Sequence, residues 1–173
     1  MSAKETTSYD PEVLRRLMMR QAVAKESGAV VRAAGSAVRL LAPSRESGML
    51  KNQVGNVVSV AVEAQNVDVI TNFIRYQIGR ASKDRTWQYN GFGLQVVQDI
   101  EGEKSPVGEA ARRVADAVVE RVPGTNKKQV CEEAHLELTR LYLGYLNRCF
   151  VYGFETGKWD DFYRAKGVCE DVS

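Results

Sequence analysis

From Val130 to Tyr152 the apolar side chains return at steps of three and four: Val130, Ala134, Leu138, Leu141, Tyr142, Tyr145, Cys149 and Tyr152. On a helix, where each residue turns about 100° around the axis, such a series forms one continuous stripe. The run is too long for a strand. A helix of this length is stable in water only if other elements cover its apolar face. No strong period-two alternation, hairpin dipeptide pattern or internal repeat appears elsewhere in the chain. The expectation is helix packed on helix.

Punctuation residues divide the rest. Asp10-Pro11-Glu12 supplies an N-cap, a first-turn proline and a first-turn acid ahead of Val13, Leu14, Leu17 and Met18. Residues 22–48 are rich in Ala, Gly and Ser and carry no aromatic. Gly28 and Gly35 each lower helix preference by about 1 kcal/mol relative to Ala. This stretch reads as a helix near 29–41 that ends before Pro43, or alternatively as an arm that orders on a partner. Leu50, Val54, Val57, Val58, Ala61 and Val62 predict a helix over 50–64. Asn66 caps the next one, which ends at Gly79-Arg80. Residues 81–93 read as a loop, and Leu94 to Ile100 as a short helix. Ser105-Pro106 opens another helix that Pro123-Gly124 stops. Thr125 or Asn126 opens the long one, which runs to about Phe154, and Trp159 to Ala165 reads as a short closing helix. The expected fold is all-α, a compact bundle of about five to seven helices. Residues 1–48 form an N-terminal basic helix and Ala/Gly-rich arm in this division, and 49–173 the bundle.

Composition excludes several classes. A hydrophobic fraction of 44% with 27% charged residues belongs to a folded chain. Lys plus Arg number 24 against 22 acids, so the net charge of +2 excludes a histone-like protein but leaves room for local basic stripes. Cys131, Cys149 and Cys169 are odd in number and lack CxxC spacing, which argues against a disulfide framework and for a reducing cytoplasm. The first 20 residues hold no apolar core of a signal peptide, and no run of about 18 apolar residues exists to cross a membrane.

The chemistry of common enzymes is missing from the motifs. There is no phosphate-binding GxxxxGK[ST] loop and no HExxH, and Gly91-Phe92-Gly93 lacks the third glycine of a dinucleotide fingerprint. Glu132 and His135 have the ExxH spacing of di-iron bundles. Those sites require two such pairs with further carboxylates, and His135 is the sole histidine. A solvated helix face is the alternative. Cys149 falls in the apolar stripe and has no second histidine to act as its base. The expectation is a non-catalytic protein with no cofactor and no metal.

Charge placement is more informative. Arg75, Arg80, Lys83 and Arg85 stand against one acid, Asp84, and interleave with Tyr76, Trp87 and Tyr89. Guanidinium groups take phosphate bidentately and rings stack on bases, so the cluster suits a nucleic-acid backbone. The plainer reading is a solvated helix end with Trp87 and Tyr89 plugging the bundle. Residues 1–42 carry an excess of three positive charges, with Arg16 and Arg20 on one face and Arg32 and Arg39 on another. Arg140 and Arg148 align along the long helix beside Tyr142, Tyr145 and Tyr152. Lys127 and Lys128 oppose the helix dipole, a placement that points to an anionic ligand there.

Two segments carry a family resemblance. Phe73-Ile74-Arg75-Tyr76-Gln77-Ile78-Gly79-Arg80 resembles the helix ending in an aromatic and then Gly-Arg in the small helical subunits of type III CRISPR effector complexes. Leu141 to Tyr152, LYLGYLNRCFVY, resembles the aromatic-rich helix near the end of the same subunits. They cover about 20 of the 173 residues, and the Ala/Gly-rich N-terminal third departs from the family pattern. The resemblance implies a non-enzymatic antiviral-defence subunit that binds crRNA and target RNA, contacts other CRISPR effector subunits and lines up with copies of itself. Arg75 and Arg80 match its motif and Arg148 matches more loosely. Lys83, Arg85 and Arg140 come from charge placement alone. The competing readings are a helical protein-interaction or adaptor module with no nucleic-acid role, and a small-molecule enzyme gathering His135 and Glu132.

Overall fold

In the computed structural model, which describes residues 10–42 and 44–162, the chain forms α1 (Pro11–Val38), a 3₁₀ turn (Arg39–Leu41), the one-turn α2 (Ser44–Ser47), α3 (Lys51–Glu63), α4 (Val67–Arg80), a 3₁₀ segment (Thr86–Gly91), α5 (Phe92–Glu101), α6 (Pro106–Arg121) and α7 (Lys127–Thr156). No strand occurs among the described residues. The all-α expectation holds.

The starts follow from side-chain caps that satisfy otherwise orphaned N–H groups. Asp10 accepts from the Glu12 N–H at 2.9 Å, Asn66 from Val69 at 3.1 Å, Ser105 from Gly108 at 2.9 Å and Asn126 from Gln129 at 3.2 Å. At the other end of α7, Gly157 at φ 73° takes the left-handed conformation that closes a helix without a Cβ clash.

Two expectations are corrected. The stretch predicted as a separate helix near 29–41 or an arm is the second half of one 28-residue helix, α1. Its small residues are there for packing: Val30, Ala34, Ala37 and Val38 are buried, and a Cβ on Gly35 would stand 2.9 Å from the Phe162 Cβ. The helical cost of glycine is offset by contacts that only tertiary structure reveals. The closing helix expected from Trp159 is instead a strap of bends and turns over 157–162, and residues 163–165 of that expectation lie outside the described residues. Trp159 leaves the helix path because its ring seats on Gly153, where a Cβ would meet it at 2.4 Å.

α1, α6 and α7 pack mutually, with α3 laid against α7 and α5 against α4 and α6. α1 and α7 run in the same direction, since Arg15 pairs with Glu133 near both starts and Phe162 bridges Gly35 and Tyr152 near both ends. α3 is antiparallel to α7, tied by Lys51 to Glu155 at one end and by Arg140 to Ala61 at the other. Small buried residues on α6, including Gly108, Ala110, Ala111 and Ala115, let this helix sit close between its neighbours. One core joins α1 with α3, α4, α5, α6 and α7, from Val30 and Val54 to Val114 and Phe150.

Candidate nucleic-acid interface

The segment joining α4 to α5 is held from inside. Trp87 is buried, with its ring centroid 5.2 Å from that of Phe92. The Gln88 amide donates to the Ile78 and Ala81 carbonyls at 2.9 and 3.1 Å, which satisfies the end of α4. Asn90 donates to the Leu40 carbonyl at 3.0 Å, and the Tyr89 hydroxyl to the Glu46 carboxylate at 3.1 Å. Asp84, Thr86 and Asn90 adopt positive φ, at 55°, 47° and 47°. For the β-branched Thr86 this conformation is strained, and strain of this kind persists only where surrounding contacts fix the backbone. The plainer reading of Trp87 and Tyr89, as residues packed into the bundle, is therefore the one their contacts support.

On this fixed loop the cations point outward. Arg80 ends α4 with its guanidinium 5.6 Å from the centroid of Tyr76, a ring that is 58% exposed. Lys83 and Arg85 are exposed, and neither they nor Arg80 has a carboxylate partner among the described residues. The Arg85 guanidinium lies against Gly48. A rigid edge with three cations and an exposed ring results.

The other three predicted residues are not part of that edge. Arg75 pairs with Glu101 on α5. It precedes Arg80 by five residues, about 140° around the helix, so the two diverge. Arg140 donates to the Ala61 carbonyl at 2.9 Å and the Ala64 carbonyl at 2.7 Å, capping the C-terminus of α3, where carbonyls lack helical partners. Its guanidinium is thus committed inside the fold. Arg148 is exposed on α7 and lies 5.6 Å from the centroid of Tyr145.

Most of the remaining charged features are paired, while Arg20 and Arg32 have no carboxylate partner among the described residues. Lys127 meets Asp116, which raises its pKa, and Lys128 lies 3.8 Å from Glu132. These acids meet the lysines at the α7 start, where an anionic ligand was expected. Arg39 meets Asp160 at 2.6 Å, whereas Arg32 is exposed. Glu12 holds both Arg15 and Arg16 by hydrogen bonds that lower its pKa to about 2. A His135 ring nitrogen lies 2.7 Å from the Ile100 carbonyl, so it braces the end of α5. Next to it Asp99, 7% exposed, accepts from Tyr142 and Gln95, each at 2.8 Å, and burial raises its pKa. Both carboxylate oxygens are occupied by these donors, which makes the group a tie between α5 and α7. Burial pushes the Cys149 thiol up to about 11, away from the thiolate a nucleophile needs.

Sequence reasoning missed Gln88 and the Gly48 contact, neither of which has a sequence signal. The Tyr76–Arg80 pair was legible as an i, i+4 spacing. Compared with protein families, curated proteins and solved structures, the chain matches none. No helix among the described residues is long and apolar enough to cross a membrane.

Proposed function

We propose that this protein is a non-catalytic helical subunit of a ribonucleoprotein, and that the end of α4 with the loop to α5 lies against an RNA backbone. The supporting observation is the placement of Arg80, Lys83 and Arg85 on a backbone fixed by Trp87, Gln88 and Asn90, with the Tyr76 ring beside them. A preorganised cationic edge loses little entropy on binding, and each cation that meets a phosphate releases condensed counterions. Tyr76 supplies a stacking face that does not depend on sequence. The resemblance of the α4 and α7 segments narrows this reading to the small subunit of a type III CRISPR effector, with crRNA and target RNA as ligands and other effector subunits and copies of itself as neighbours. Arg140, spent on the carbonyls of α3, and Arg75, which diverges from Arg80 and pairs with Glu101 at the surface, are not assigned to RNA.

Filter retention of a single-stranded RNA at low and moderate salt tests it. Binding is expected to weaken steeply with salt, and Arg80→Glu with Lys83→Glu is expected to abolish retention while the helical circular dichroism is unchanged. Retention that ignores both salt and these substitutions would remove the assignment and favour a protein-only adaptor.

A further inference from the structure

The outward seam between α1 and α7 is closed along one half and open along the other. Over the closed half, the strap after α7 supplies two aromatics and two acids. Trp159 packs on Gly153, Phe162 sits on Gly35 with its ring edge-on to Tyr152, Asp160 pairs with Arg39 and Asp161 accepts from Tyr152 at 2.6 Å. Over the open half, a groove has an apolar floor of Met19, Val23 and Leu136 and a rim that includes Arg16, Arg20 and Arg140. Four arginines and two glutamates line it. Arg20 has no carboxylate partner among the described residues, and the Arg16 side chain is 73% exposed beyond its pair with Glu12.

We propose that the open half of this seam is a docking groove for an aromatic and acidic peptide segment of a partner protein, the chemistry that residues 159–162 present to the closed half. The floor calls for apolar or aromatic side chains, which a phosphate backbone does not provide. On the rim, Arg15, Arg16 and Arg140 already have partners within the fold, and Arg20, which has no carboxylate among the described residues, calls for one, as Arg39 receives one from Asp160. The groove lies on α1 and α7, apart from the cations at the end of α4, so the proposal stands or falls independently of the RNA reading.

The test is selection of a displayed random peptide library, about twelve residues long, on the full chain. The most enriched peptide is then synthesised and titrated by fluorescence anisotropy. Enriched sequences are expected to combine Trp, Phe or Tyr with neighbouring Asp or Glu. Arg20→Glu reverses the rim, and Ala24→Trp fills the groove from an exposed position. Each is expected to weaken binding by about tenfold or more, whereas Lys83→Ala leaves it unchanged. Both variants are expected to keep the wild-type circular dichroism and RNA retention. No enrichment, enrichment of sequences without acids, or binding indifferent to both substitutions would overturn the proposal.

Discussion

Two corners of the bundle carry arginines that look alike in the sequence and behave differently in the fold. At the α3–α7 corner, Arg140 spends its guanidinium on the Ala61 and Ala64 carbonyls. At the α4–α5 corner, the helix end is satisfied by Gln88, and Arg80, Lys83 and Arg85 are left facing solvent. The difference lies in who caps the carbonyls. Where a neutral amide does that work, the cations are free for another molecule. An arginine's spacing along a helix says which way it points, but its role depends on which helix end lies opposite.

The largest expected effect concerns what holds the second corner still. Trp87→Ala leaves a cavity beneath the loop and should cost about 3–5 kcal/mol in urea unfolding, with RNA retention lost alongside. Trp87→Phe should cost much less, because the indole N–H has no partner among the described residues. Arg140→Ala comes next, at about 1.5–3 kcal/mol, since it strands carbonyls at the end of α3. Lysine should rescue it only partly, because one ammonium does not reproduce the guanidinium fork. If Arg140→Ala proves neutral, the contrast between the corners fails.

Tyr142→Phe, at about 1–3 kcal/mol, sharpens the same point with an acid: it leaves buried Asp99 with one donor. The sign with pH follows from linkage. Burial raises the folded pKa of Asp99 above its unfolded value, so the native state binds the proton more tightly and this group's contribution declines as pH rises through that window. The penalty of Tyr142→Phe should therefore be widest at neutral pH and shrink on acidification, as equilibrium unfolding at several pH values will show. Arg75→Ala is the smallest of the stability effects, under about 1 kcal/mol, because its pair with Glu101 is exposed.

Much of the fold was legible. Asp10, Asn66, Ser105 and Asn126 cap the helices whose starts they mark, because capping is local chemistry. The continuity of α1 was not, since Gly35 is explained only by Phe162, far along the chain. The strap escaped for the same reason: Trp159 and Phe162 have helical spacing but are drawn onto glycines of two other elements. Of the candidate residues, Arg80, Lys83 and Arg85 are neighbours in sequence, and their shared edge could be read there. The commitments of Arg75 and Arg140 depend on Glu101 and on the end of α3, which periodicity does not bring near.

The most direct measurement is the salt dependence of single-stranded RNA affinity for the wild type and for Arg80→Ala/Lys83→Ala/Arg85→Ala. Each substitution is expected to leave stability within about 0.5 kcal/mol, and the triple variant to flatten the log–log salt slope by about 2, since each phosphate contact contributes about 0.7 on a single strand. An unchanged slope and affinity in a folded triple variant would contradict the account.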